Sequence, residues 1–207
     1  MPVEQVIARV RRALLLDVGV FEEARDDRLF TPFAIAVAGA SGLIAGIGAF
    51  LWSAFILDET QDFFLEAVIL GTIFLVLLWL VGMIAAYFVL SQIYHESVGL
   101  DGLIRVMCLA SVPFAVSALV FIPGFGFGLA LIAVALTFFY TNYGVRAAYP
   151  DIDPMRVMIA CLVAMAVWSM ILPLLTSPGD QFAPGPFVFE WSEDVVEDIL
   201  GGLTTFD

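Results

Sequence analysis

AVILGTIFLVLLWLVGMIAAYFVL, residues 67–90, carries no charged side chain from one end to the other. A helix of that length spans a hydrocarbon core of ~30 Å at ~1.5 Å per residue. Similar apolar blocks cover about residues 33–57, 103–122, 125–143 and 157–175, and only short polar stretches separate them. Composition agrees with this reading. Of 207 residues, 62% are hydrophobic and 14% charged, whereas soluble domains sit near one half apolar and one quarter charged. Mean hydropathy is +1.02. The expected fold is all-α: a polytopic bundle of five transmembrane helices, preceded by an amphipathic helix and followed by a short acidic one. Residues 1–31 form the cytoplasmic amphipathic segment, 32–175 the membrane domain and 176–207 an acidic extracytoplasmic tail.

Charge sets the expected orientation. The net charge of −13 comes from 21 acids against eight bases. Every base is an arginine: 9, 11, 12, 25, 28, 105, 146 and 156. With the N-terminus in the cytoplasm, the 58–66 loop, the 122–126 turn and the C-terminal tail lie outside, and every arginine lies inside. Basic residues near span ends orient membrane proteins in this way, while acids count for little. The acid-rich, lysine-free composition suits a salt-loving source. It offers no dense positive surface to phosphodiester backbones, so nucleic acid is not an expected partner. No cleavable leader is visible in MPVEQVIARVRRALLL, so insertion is expected to come from the spans.

Outside the spans, Val3, Val6, Ile7, Val10 and Leu14 recur at helical spacing, with Glu4, Arg9, Arg11 and Arg12 on other faces. Such a helix either lies in the headgroup plane or packs on the protein's own loops. In the first span, Ala34, Ala38, Gly42 and Gly46 share one face, a small-residue seam that lets helices approach closely without a hydrophobic drive. An intramolecular seam is the favoured reading and a subunit contact the alternative. In the tail, SEDVVEDILGGL has Ser192 as N-cap and Val195, Val196, Ile199, Leu200 and Leu203 on one face. Its acidic side would be repelled by anionic headgroups, so it is expected to dock on protein.

Chemistry-bearing residues are few. SQIYHESVGLDGLIRV, Ser91–Val106, holds the only histidine, His95, next to Glu96. Zinc-protease helices need a second histidine four residues on, and that position is Gly99. A residual cation site would combine His95, Glu96 and Asp101 with Asp151 and Asp153 of the other inner loop. The plainer reading makes these solvated span-end residues, and no metal or other cofactor is expected. Cys108 and Cys161 read as small buried hydrophobes. GFGFG lacks the strand and lysine of a phosphate loop and reads as a tight turn. Spans without mid-depth ionisable residues argue against a coupled transporter. Pro113 is expected to kink the third span, with neighbours satisfying the freed carbonyl.

Three stretches resemble the YIP family of Rab/Ypt-GTPase-interacting polytopic membrane proteins and its prokaryotic relatives. They are FEEARDDRLFTPFAIAV before and into the first span, VGLDGLIRVMCLASVPFAVSAL, and YGVRAAYPDIDPMRVMIACLVA leading into the last span. The matching positions are Gly102, Arg105, Pro113, Pro123 and Gly144. The long cytoplasmic N-terminal region of eukaryotic members is absent, which puts Rab-type binding in doubt. The resemblance implies a five-span bundle and non-enzymatic work, organising membrane or docking partners on the cytoplasmic face. The expected function is therefore a membrane scaffold or adaptor in the lipid bilayer, with a cytoplasmic protein partner or a homo-oligomer. The alternatives are a small-solute or ion pathway through the bundle and a cation-dependent enzyme at the inner loops.

Overall fold

A computed structural model describes residues 3–52, 54, 64–122 and 125–175. The tail helix, Pro123 and most of the acidic loop at 58–66 lie outside the described residues. Two helices precede the first span, α1 (Val3–Leu14) and α2 (Val18–Asp26), and a 3-10 turn (Arg28–Phe30) follows. The chain reverses between α1 and α2 at Leu16, whose φ of 56° is left-handed. There Asp17 N–H donates to Arg12 O and Leu16 N–H to Ala13 O, each at 3.0 Å, which satisfies the carbonyls at the end of α1. Glycine normally takes that position, because a Cβ is strained there. Leu16→Gly is accordingly expected to raise stability by about 0.5–1 kcal/mol, read as a higher unfolding temperature in detergent. A lower temperature would mean that the Leu16 side chain contributes packing worth more than the strain. Asp17 then caps α2, accepting from Gly19 N–H at 2.9 Å.

The inward face of α1 differs from the expected one. Val6 and Val10 pack on the core and Ala13 is buried, whereas Ile7 is 61% and Leu14 46% exposed. The inward side is chosen by small residues and by Arg9, whose guanidinium stacks over the rings of Phe30 and Phe33 at 4.8 and 5.7 Å. Ile7 and Leu14 are left facing outward, so α1 both packs on the protein and presents an apolar surface.

Five apolar helices long enough to cross a membrane follow. They comprise α3 (Thr31–Trp52); α4 (Gly71–Phe88), flanked by π-helical segments at Leu65–Leu70 and Val89–Ile93; a divided third span; α6 (Gly126–Ala148); and α7 (Pro154–Leu175). Among the described residues there is no strand. The second span runs three residues beyond the expected end at 90, and α6 continues past Tyr143 to Ala148. The aromatic-polar stretch of α6 does not stop it, because Gly144, Val145 and Ala148 are buried and carry the packed face onward. Along α4, Ile73, Leu77, Val81, Ile84 and Phe88 are exposed on one face, the stripe a span turns to lipid.

The third span is the centre of the bundle: 67% of its apolar window is buried, against 28–50% in the other four. It consists of α5 (Leu100–Leu109) and a 3-10 helix at Val112–Phe121, and the ladder breaks at Ala110–Ser111, just before Pro113. A 3-10 run of that length is unusual. Carbonyls near the break are met by side chains. Trp79 Nε1 donates to Met107 O at 3.4 Å, Ser111 Oγ to Cys108 O at 2.7 Å and Ser117 Oγ to Phe114 O at 2.5 Å. Phe114 is held between Trp79 and Trp168, with centroids 5.5 and 5.6 Å away.

Small residues bring the helices together. Ala34, Ala38, Gly42 and Gly46 are all buried within the chain. A Cβ on Gly42 would lie 3.2 Å from both Thr72 and Leu75 of the second span. A tighter approach than that at Gly42 falls outside that seam. A Cβ on Gly48 would stand 2.5 Å from the Cα of Ala118 in the 3-10 half of the third span. A Cβ on Gly82 of α4 would likewise stand 2.9 Å from the carbonyl oxygen of Ala164 in α7.

Candidate interface at the arginine-bearing end

At the end of the bundle that carries the arginines, α2 packs against α5 and α6. Phe21 is fully buried beneath it. Its ring lies where a side chain at position 144 would be, 2.7 Å from a Cβ built on Gly144, and meets Tyr143 edge-on at 6.1 Å. Arg105 rises from α5 and is 5% exposed. Its Nε donates to Ala24 O at 2.6 Å, its Nη2 to Arg25 O at 2.5 Å and its Nη1 to Thr31 Oγ1 at 3.4 Å. Ala24 and Arg25 are in the last turn of α2, whose carbonyls have no helical donors and form the negative end of the helix dipole. A buried guanidinium is satisfied here by main-chain oxygen.

Arg25 extends the arrangement to the fourth span. One Nη donates to the carbonyl of Ala148, at the C-terminus of α6, and Nε and Nη2 grip both oxygens of Asp26 at 2.7 Å. The same guanidinium stands 5.9 Å from the ring of Tyr149. Gly102 leaves room for that ring, since a Cβ there would be 2.8 Å from Tyr149 Oη. On the outer side, Arg9 and Arg12 both reach Glu23, and Arg12 also pairs with Asp17 at 2.8 Å. Tyr140 Oη ties the end of α1 to α6 by donating to Leu14 O at 2.8 Å.

These pairings set the local protonation. The hydrogen bond from Arg25 holds the Asp26 carboxyl below its ordinary range, as the bond from Arg12 does for Asp17. Burial pushes the Tyr149 phenol up to about 12, so it stays a neutral donor in any physiological medium. A depressed carboxylate stabilises the fold above its unfolded pKa and loses that contribution as pH falls through the folded value. Protease resistance of the α1–α2 segment is therefore expected to hold from pH 7 to 5. It should weaken only below the ordinary aspartate value of about 3.9. A loss between pH 7 and 5 would show that neither pair governs the segment.

The residues expected to share a cation do not assemble. Glu96 is paired with Arg156 at 2.5 Å, and Arg156 also lies over the ring of Tyr94 at 5.4 Å. Asp153 caps α7, with its Oδ1 accepting from Met155 N–H at 2.8 Å. Asp151 is exposed, and Asp101 sits in the first turn of α5. Among the described residues no three of His, Cys, Asp and Glu gather closely enough to hold a metal. The role of His95 is in its backbone. It is exposed, with φ of 57° where the second span ends, and histidine is one of the few side chains enriched in that left-handed region. Both cysteines are buried free thiols.

Of the resemblance positions, Gly102, Arg105 and Gly144 converge on α2, while Pro113 lies in the 3-10 helix. Sequence reasoning missed Phe21, Arg25 and Tyr149, the partners of that convergence. A short helix ahead of the spans gives no sign of which span it will lie on. Comparison of the chain with family models, curated proteins and solved structures finds no match.

Proposed function

We propose that this protein is a non-enzymatic membrane scaffold or adaptor of the YIP type that docks a partner protein on its cytoplasmic face. The carrying observation is the platform of α1 and α2, clamped to the bundle by Arg105, Gly102 and Gly144. Its outer side exposes Ile7, Leu14, Leu15 and Val18. A helix pair held this firmly, yet showing apolar side chains outward, is suited to recognition at the membrane surface. The positive-inside bias of all eight arginines supports a cytoplasmic placement of this end. The convergence of three resemblance positions on α2 supports the YIP reading.

Photo-crosslinkers at Leu14 and Leu15 in intact membranes test the proposal. A discrete protein adduct, or a dimer of this chain, is expected, and Ile7→Glu should abolish it. Adducts to lipid alone would sink the docking reading. A reporter fused after Asp207 should be extracytoplasmic, and a cytoplasmic reporter would invert the platform.

A solute or ion pathway is the second reading, favoured by the break in the buried third span, since transport sites use discontinuous helices. Reconstituted vesicles that stay tight to ions and small solutes would remove it.

A further inference from the structure

Between the last turn of α2, the first turn of α5 and Tyr149 lies a cleft of about 470 Å³. Its walls include Arg25, Arg28, Arg105 and Tyr149. We infer that this cleft is a binding site for a phosphate group, taken from an anionic lipid headgroup or from free phosphate. The inference is independent of the scaffold reading and needs only the bundle in its membrane.

Four observations carry it. Arg28 is exposed and makes no ion pair among the described residues. Arg25 and Arg105 are immobilised by their main-chain contacts, and each guanidinium has more N–H donors than those contacts use. Their Nε/Nη2 edges are occupied, by Asp26 for Arg25 and by the Ala24 and Arg25 carbonyls for Arg105. They would therefore offer single, already positioned N–H donors, while the unpaired Arg28 could offer a whole fork. Tyr149 is 9% exposed, and its hydroxyl lies outside the set of sealed, unsatisfied polar atoms, so it is open to the cleft. It lines the cleft as a neutral donor, 2.8 Å from where a Gly102 Cβ would stand. Finally, Gly99 begins α5 with no side-chain cap. Leu100, Asp101 and Gly102 of the first turn of α5 line the same cleft, at the positive end of a helix dipole.

Two carboxylates share the walls, Asp26 and Asp101. Asp26 is already neutralised by Arg25 through both oxygens. Asp101 is exposed in the first turn of α5 and opposes an incoming anion. That opposition supplies a variant with a distinctive sign. Removing Asp101's charge should tighten phosphate binding, which no purely structural role for the cleft requires.

The test uses the full chain purified in a neutral detergent. One arm titrates sodium phosphate against sodium chloride at matched ionic strength, reading the unfolding temperature. The other adds phosphatidylglycerol or phosphatidylcholine to the micelles and counts retained lipid by native mass spectrometry. Wild type should be stabilised by phosphate or retain phosphatidylglycerol over phosphatidylcholine. Stabilisation by free phosphate identifies the soluble source, and retention of phosphatidylglycerol alone identifies the headgroup. In whichever arm responds, Arg28→Gln should weaken binding roughly tenfold and Tyr149→Phe severalfold, with unfolding temperatures unchanged in the absence of ligand. Asp101→Asn should strengthen it. Equal effects of chloride and phosphate together with equal retention of the two lipids would overturn the inference. Unchanged affinity in all three variants would do the same.

Discussion

Arg105→Ala is expected to detach the pre-span helix from the membrane bundle. The guanidinium is 5% exposed and bridges Ala24 O and Arg25 O at 2.6 and 2.5 Å. Hydrogen bonds with a charged partner contribute about 1.5–3 kcal/mol each, and orphaned buried carbonyls add a desolvation penalty. The loss should come to roughly 3 kcal/mol or more. For a chain of this size that is a fall of roughly 6–12 °C in unfolding temperature. Trypsin should then cut at Arg9, Arg11 and Arg12, whose segment has lost its anchor. Arg105→Lys keeps the charge at the negative end of α2, but a single ammonium cannot reproduce the fork. It should recover about half of the loss. An alanine variant with wild-type unfolding and protease resistance would show that α2 is held by Phe21 and its apolar neighbours alone.

At the opposite end of the bundle, Gly48→Ala should be more damaging than Gly42→Ala or Gly39→Ala in the same span. The added Cβ would lie 2.5 Å from Cα and 2.6 Å from O of Ala118. Both are main-chain atoms, so no side-chain rotation relieves the clash and the two helices must move apart. Overpacking of this kind costs about 1–3 kcal/mol, and Gly48→Val should exceed that. Gly39→Ala is the matched control, because a Cβ there meets nothing within 4 Å. It should be neutral or gain up to about 1 kcal/mol from helix propensity. Ala118→Gly in the Gly48→Ala background should not rescue stability, since the offending atoms remain. Rescue would place the conflict on the Ala118 methyl and refute the backbone contact.

Much of the architecture is legible before folding is considered, because a bilayer imposes a length and a composition on whatever crosses it. Residues 67–90 announce a span in any context, and so do the other four blocks. The buried line of Ala34, Ala38, Gly42 and Gly46 is also readable, since helical periodicity places them on one face. The limit of that reasoning appears at Gly48. Periodicity identifies a small-residue face but not how near another backbone will come, and Gly48, outside the seam, meets a neighbouring backbone more closely than Gly42 within it meets its neighbours. The loops at the arginine-bearing end show the same limit from the chemical side. Arg105 reads as a basic residue at a span end, and only its position under α2 turns it into a buried clamp. His95 reads as a possible ligand, yet its place in the structure is set by a left-handed backbone. Glu96 and Asp153, readable as carboxylates for a cation, are taken up by Arg156 and by the N-terminus of α7.

Span number, span type and the clustering of arginine at one end follow from local composition, because transfer into hydrocarbon is paid residue by residue and needs no knowledge of neighbours. Which span lies at the centre, where α2 docks and what the arginines hold depend on contacts between residues far apart in the chain. Arg105 and Ala24 are separated by 81 positions and Arg25 and Ala148 by 123. No periodicity within a span encodes such pairings; packing shape and the need to satisfy buried donors and carbonyls select them once the helices are together.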